Sequence, residues 1–186
     1  MEKIEGYDSA IAITGEYEKL EPGGYICKII AAKEEKSKSG KRMLTIVLDI
    51  DEGKHKNFFM RRYEELKKER TDSTQEIKYP NAAIYHQMLE GSDKAAGFLK
   101  GLMTSLEASN PDFKWDWDEK KLVGLRCGAI FGEEEYEKFD GSVGTSCRVK
   151  FIRTVKSIQE GNFKVPELKK LPVKGDSYES FDYLPF

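Results

Sequence analysis

Basic and aromatic side chains occur together in two stretches of the chain, as they do in sites that hold single-stranded nucleic acid. Cations follow the phosphates and rings stack on the bases, where each stacked base contributes about 1–3 kcal/mol. One stretch is 58–63, and the other is the apolar run 143–155, which cations interrupt. The predicted nucleic-acid-binding residues are Lys28, Arg42, Phe58, Arg61, Arg62, Tyr63, Arg148, Lys150 and Arg153.

The alternative for these residues is an ordinary half-buried sheet, whose charged side chains simply face water. The sequence alone leaves the two interpretations evenly balanced. Phe58 stands beside Phe59, so one of the two rings is expected in the core. The run 113–117 places three rings on one side of an extended chain, but large aromatics just after a helix favour core packing. The acidic run 133–135 suits phosphate poorly, so it either lies away from the nucleic acid or protects a sheet edge.

Motifs for catalysis are absent from the sequence, which has no phosphate-binding loop, dinucleotide fingerprint or zinc-protease motif. Neither His55 nor His86 has neighbours that suggest a catalytic triad. Asp49, Asp51 and Glu52 offer the oxygen ligands that Mg²⁺ prefers, but acids at the end of a strand are also common as solvated turn residues. We therefore expect no catalytic residue, no metal and no cofactor.

The composition indicates one globular domain with some extra length, since 39% of the 186 residues are hydrophobic and 34% are charged. The net charge is −2, and the last twelve residues hold three acids and no base, so the body is close to neutral. No apolar run approaches the ~18 residues that cross a membrane. With three cysteines in apolar runs and no metal-binding spacing, we expect reduced thiols and a cytoplasmic protein.

The order of the predicted elements is three strands, a helix and two strands. Apolar patterns predict strands over 25–32, 42–50, 122–131 and 143–155, and a helix over 93–110, with an acidic loop over 132–141. The third strand is either 57–63 or 81–89. This order predicts a mainly β protein, a five-stranded OB-fold barrel with one helix between strands three and four. A plain α+β sheet gives a similar order.

Three parts are predicted along the chain: an N-terminal arm at 1–20, the OB-fold domain at 21–171, and a flexible acidic tail at 172–186. The tail ends in an apolar tip, which either docks on its own domain or is bound by partner proteins through a basic-rimmed apolar pocket.

The tip resembles the acidic C-terminal end of bacterial single-stranded DNA-binding proteins, which finishes in acids, Leu or Ile, and Pro-Phe. Leu184, Pro185, Phe186 and one acid, Asp182, match this ending, whereas Tyr183 stands where an acid is usual. The resemblance implies that Asp182, Leu184, Pro185 and Phe186 recruit replication or recombination proteins.

The body is similar to a family of small proteins of phages and prophages of Gram-positive bacteria, many of them single-stranded DNA-binding. The matching stretches are 22–25, 37–41, 117–124, 131–136 and 163–169. The resemblance implies an OB-fold and non-catalytic, sequence-tolerant binding of single-stranded DNA in phage replication or recombination, alone or as a homo-oligomer. It assigns no binding residues. The alternatives are a phage adaptor or inhibitor on the same barrel and a metal-dependent nuclease.

Overall fold

The computed structural model describes residues 18–70, 74 and 76–172. Its strands are β1 (Gly23–Lys36), β2 (Arg42–Ile50), β3 (Ile84–Met88), β4 (Arg126–Glu137) and β5 (Val143–Arg153). Its helices are α1 (Phe58–Glu69), α2 (Ala95–Ser109) and α3 (Val155–Gln159). In the part of the chain described, no helix has the length and apolar character needed to cross a membrane.

The five strands form one antiparallel sheet in the order β3-β2-β1-β4-β5. The prediction of a mainly β fold with five strands and a long helix after the third is therefore confirmed. Hydrogen-bonded closure into a barrel is not found, because no ladder joins the edge strands β3 and β5 within the described residues. The two edges meet instead through a side chain, since Arg148 Nη2 of β5 lies 3.5 Å from the carbonyl oxygen of Asn81, just before β3.

The core lies on one face of this sheet. Alternate residues of β2 point into it, and all four of these aliphatic side chains are buried, namely Leu44, Ile46, Leu48 and Ile50. Helix α2 adds Leu102, Met103 and Leu106, the i, i+1 and i+4 positions of its apolar stripe. Burial raises the pKa of the Cys127 thiol to about 12, so this cysteine stays a protonated, packed side chain, as expected from the sequence.

The segment 57–63 is not a strand, so the third strand is the other candidate, at Ile84–Met88. Residues 58–69 form helix α1 because a buried side chain on β2 holds its first turn. The Asp49 carboxylate accepts the backbone N–H groups of Phe59 at 3.0 Å and Met60 at 3.3 Å, which replaces a local cap. Phe59 is then buried and stacks on Phe131 of β4, with ring centroids 5.7 Å apart.

The predicted acidic loop over 132–141 is wrong in its first half, because β4 continues to Glu137. Arg148 and Lys150 of β5 pair with Glu134, and the outer backbone edge of this end of β4 is also paired. The N–H of Glu135 donates to the carbonyl of Lys169 at 2.9 Å, and the N–H of Lys169 donates to the carbonyl of Glu133 at 3.1 Å. The chain after β5 therefore runs back across β4.

Glycines allow the returning chain to lie close to the sheet. A Cβ at Gly24 of β1 would lie 2.5 Å from the ring of Phe163, and one at Gly128 of β4 would lie 2.5 Å from the carbonyl oxygen of Thr154. Side chains there would push the chain after β5 away from the sheet. The predicted arm at 1–20 and tail at 172–186 lie almost wholly outside the described residues, and so do Asp182, Leu184, Pro185 and Phe186.

Replacing Gly128 tests this close packing. We expect Gly128→Ala to lower the free energy of unfolding by about 1–3 kcal/mol, because the added methyl group overpacks against backbone. Gly101→Ala is the matched control, since it lies in α2 with open space around it and should raise that free energy by about 0.5–1 kcal/mol. Urea unfolding followed by circular dichroism measures both, and equal effects of the two changes would contradict the packing.

Candidate nucleic-acid interface

The face of β1, β2 and β3 that points away from the core forms a regular three-by-three grid. Strand register places its rows directly across the sheet. The rows are Ala31–Val47–Ile84, Lys33–Thr45–His86 and Glu35–Met43–Met88. None of the nine side chains belongs to the core, and none is buried. We call these nine residues the exposed sheet face; it offers an apolar floor crossed by one polar row.

Lysines lie on and beside the hairpin that joins β1 to β2. Lys33 belongs to the exposed sheet face, whereas Lys36, opposite Arg42, lies on the core-facing side of the hairpin. The window 28–42 carries six basic and two acidic side chains, a net charge of +4 in a chain whose total is −2. Its five lysines form no ion pair with any described residue. They are Lys28, Lys33, Lys36, Lys38 and Lys41, called the hairpin lysines below. Positive charge is therefore concentrated where the exposed sheet face begins.

An open cleft of about 470 Å³ continues the face beyond its apolar row, where β1 and β2 meet α1. Lys28, Ile30, Met60 and Val123 contribute to its lining. Asp49 also lines it, but its carboxylate is engaged with the first turn of α1. Burial raises the pKa of Asp49, and the N–H groups of Phe59, Ile50 and Met60 only partly offset this.

Two of the predicted cations share one half-buried anion, Glu134. Arg148 Nη1 lies 2.6 Å from a Glu134 carboxylate oxygen, and Lys150 Nζ bonds the other oxygen. Burial alone would raise the pKa of Glu134, but the hydrogen bonds and charges of Lys150 and Arg148 outweigh it and hold the pKa below its usual value. Arg148 and Lys150 are thus paired within the protein.

The remaining predicted cations are scattered, and most have a partner. Arg42 pairs with Glu34 at 2.6 Å, on the core-facing side of the hairpin, and Arg61 lies 3.4 Å from Glu18. Arg62 lies 3.5 Å from Glu65, and Arg153 packs over the ring of Phe151 at 5.2 Å. Of the predicted set, Lys28 lines the cleft, and Arg148 lies close enough to His86 to lower its pKa.

The two rings predicted to stack on bases, Phe58 and Tyr63, contact other aromatic rings of the protein. Phe58 meets Phe59 edge to face at 5.1 Å and packs against the core. Tyr63 lies 5.4 Å from Tyr79, and Lys67 Nζ sits 4.1 Å above its ring. In the run 113–117, Phe113 is buried and Trp115 packs on the core as expected, whereas Trp117 is 78% exposed.

The three acids considered as Mg²⁺ ligands do not form a common site. Asp49 binds backbone N–H groups, while Arg126 lies 3.0 Å from Asp51 and also pairs with Glu52. The described residues contain no group of three or more His, Cys, Asp or Glu side chains that could hold a metal ion.

The hairpin lysines other than Lys28 were missed by the sequence prediction, which favoured cations next to aromatic residues. The signal that identifies them is local charge, because no ring is near them in sequence. The exposed sheet face could have been found from the period-two pattern of 42–50, where Met43, Thr45 and Val47 alternate with core residues.

A family model described as a protein of unknown function (DUF669) matches residues 7–104, slightly more than half of the chain. The matched region contains β1, β2 and β3, and hence the entire exposed sheet face and the hairpin lysines. No curated protein matches the sequence. The family is uncharacterised, so the resemblance to phage single-stranded DNA-binding proteins stays a prediction.

The ion pairs of Glu134 with Arg148 and Lys150 lead to a pH-dependent prediction. Because the pKa of Glu134 is lowered on folding, its stabilising contribution is present above the unfolded pKa of about 4.3 and is lost as the pH falls through the folded pKa. We expect Glu134→Gln to lower the free energy of unfolding by about 1–2 kcal/mol at pH 7, with little difference from wild type at pH 3. Glu137→Gln on the same strand is the control, since Glu137 is exposed and makes no ion pair with a described residue. Urea unfolding at both pH values measures this, and an equal loss at pH 3 would contradict the assignment.

Proposed function

This chain belongs to the DUF669 family of proteins of unknown function, and we propose that it binds single-stranded DNA without catalysis, using the exposed sheet face and the hairpin lysines. The role we propose is in phage or prophage replication or recombination within the bacterial cytoplasm. The sequence resemblance supports that biological setting, and the charge and shape of the face support the binding.

The observation that carries the proposal is the concentration of free positive charge beside a sheet face that no described residue covers. Phosphates are attracted to local potential and not to net charge, so a +4 window can bind a strand although the chain totals −2. Most basic residues elsewhere on the sheet are paired with acids, as Arg148 and Lys150 are with Glu134. The hairpin, in contrast, keeps five lysines that form no ion pair with a described residue.

The apolar side chains of the exposed sheet face can contact any of the bases. Met43, Val47, Ile84 and Met88 are half-buried apolar side chains that flat bases can cover. Only one of the nine side chains, His86, has a ring, so stacking contributes less here than in aromatic-rich sites. Affinity should therefore come mainly from phosphate contacts and depend strongly on salt.

We also propose that the sheet is an OB-type barrel with an open seam. The order β3-β2-β1-β4-β5, the helix α2 between β3 and β4, and the contact of Arg148 with Asn81 across the seam support this. Oligonucleotides bind OB-folds on the face of strands two and three and on the loop between strands one and two. The exposed sheet face and the hairpin lysines occupy the corresponding positions.

A protein-interaction module is the second candidate. It is favoured by the β4–β5 hairpin, where Phe139 is fully exposed and Tyr136 and Val143 are about half exposed. Exposed apolar side chains at a hairpin tip are typical of contacts with another protein. The acidic end of β4 beside this tip would repel a nucleic acid.

The charge of the hairpin is tested by a triple substitution, Lys36→Gln, Lys38→Gln and Lys41→Gln. Each lost phosphate contact should reduce the salt dependence of log K by about 0.7, so the slope against log salt should become less steep by about 2. At about 0.1 M salt, affinity for oligo-dT should fall by about tenfold to a hundredfold. Tryptophan fluorescence or fluorescence anisotropy measures binding between about 0.05 and 0.2 M salt.

A second triple variant, Lys68→Gln, Lys100→Gln and Lys164→Gln, makes the same change in net charge at exposed positions away from the hairpin. It should bind oligo-dT nearly as wild type does. Equal losses in both variants would show that only overall charge matters. Wild-type protein that fails to bind oligo-dT even at low salt would refute the proposed function and leave the interaction module.

We propose that the tail recruits replication or recombination proteins, on the strength of its Leu-Pro-Phe ending. Deleting 182–186 should abolish that recruitment while leaving affinity for oligo-dT unchanged or higher, because an acid is removed. Pull-down of host replication proteins and anisotropy on the same preparation measure the two effects. Collapse of DNA binding on deletion would instead make the tail part of the domain.

A further inference from the structure

The polar row of the exposed sheet face is joined by hydrogen bonds across three strands. Thr45 Oγ1 lies 2.5 Å from Glu35 Oε1 and 3.1 Å from His86 Nδ1. Thr45 stands directly opposite His86, and Glu35 reaches the hydroxyl diagonally from β1.

The positions of the protons follow from the chemistry of the three groups. A carboxylate only accepts, so the single hydroxyl proton of Thr45 is donated to Glu35. The hydroxyl oxygen then has only lone pairs left for the imidazole, and His86 Nδ1 must donate to it. We assign the neutral tautomer with the proton on Nδ1, which leaves Nε2 with a lone pair.

The surroundings of His86 favour this neutral ring. Partial burial is the largest cause that lowers the pKa of His86, Arg148 of β5 lowers it further, and Glu35 raises it, with a net value below the usual one. Lys33 is the other charged residue of the row. At neutral and higher pH, Nε2 therefore offers an acceptor, which phosphate oxygens cannot use.

Building on the proposed function, we propose that His86 contacts the bases of the bound strand through its ring face and Nε2, and that Thr45 and Glu35 position it. His86 is the only ring of the exposed sheet face, and the ring is exposed. The bases, unlike phosphate, carry N–H donors on their Watson–Crick edges. One acceptor beside an apolar floor can thus contact any base, which agrees with sequence-tolerant binding.

The test compares a normal strand with one that has no bases. At pH 8, His86→Ala should lower affinity for oligo-dT about fivefold or more, as expected for a lost base contact. For an abasic oligonucleotide of equal length, the same change should alter affinity less than about twofold, because the hairpin lysines still bind its phosphates. His86→Phe keeps a ring of similar size but loses Nε2 and the bond to Thr45, so it should recover only part of the affinity for oligo-dT.

Two further variants test the positioning by Thr45. Thr45→Ser keeps the hydroxyl and should bind oligo-dT as wild type does, whereas Thr45→Val removes it and should lose a few-fold in affinity. Valine suits a strand at least as well as threonine, so a loss of fold is not expected. Neither change should affect binding of the abasic strand.

The outcomes separate this inference from the proposed function. Equal losses on the normal and abasic strands, or no loss with His86→Ala while wild type binds oligo-dT in a hairpin-dependent way, would overturn the role of His86 alone. Failure of wild type to bind either strand at low salt would overturn both proposals.

Discussion

The two-residue period of β2 is the constraint on which the rest of the structure depends. Leu44, Ile46, Leu48 and Ile50 are all buried, so a slip of one residue would expose the entire set. Burial thereby fixes the register of β2 against β1 and β3. The same register aligns the rows of the opposite face, where Thr45 also bonds Glu35 and His86.

Asp49 is the residue that couples the end of β2 to helix α1. It belongs to the outward-facing set of β2, yet it is buried because α1 covers it. An unpaired buried carboxylate is unfavourable, and three backbone N–H groups satisfy it. The helix and the acid therefore require each other. Helix α1 lies at one end of the outward face, and among residues 18–70, 74 and 76–172 nothing buries the remaining rows.

These interactions explain which parts were predictable from sequence. Strand β2 and helix α2 follow local periodicity, and their predicted ranges agree with the structure to within two residues. The helical state of 58–69 depends on Asp49, nine residues before the helix starts, so local pattern does not reveal it. The extension of β4 through three glutamates likewise depends on Arg148 and Lys150, which lie across the sheet. The ion pairs of the predicted cations were not visible in the sequence for the same reason, since ion pairing is decided by tertiary contacts.

The distribution of acids leaves positive charge concentrated at the hairpin, although the net charge of the chain is −2. Glu134 is placed between two cations, Asp51 and Glu52 sit on Arg126, and Glu34 lies on the core-facing side of the hairpin with Arg42. Glu35 is the one acid of the exposed sheet face, and its charge is turned inward to the Thr45 hydroxyl. Screening over about 8–10 Å at physiological salt confines each charge to its neighbourhood. A strand approaching the hairpin would therefore meet lysines first, although acids outnumber bases in the whole chain.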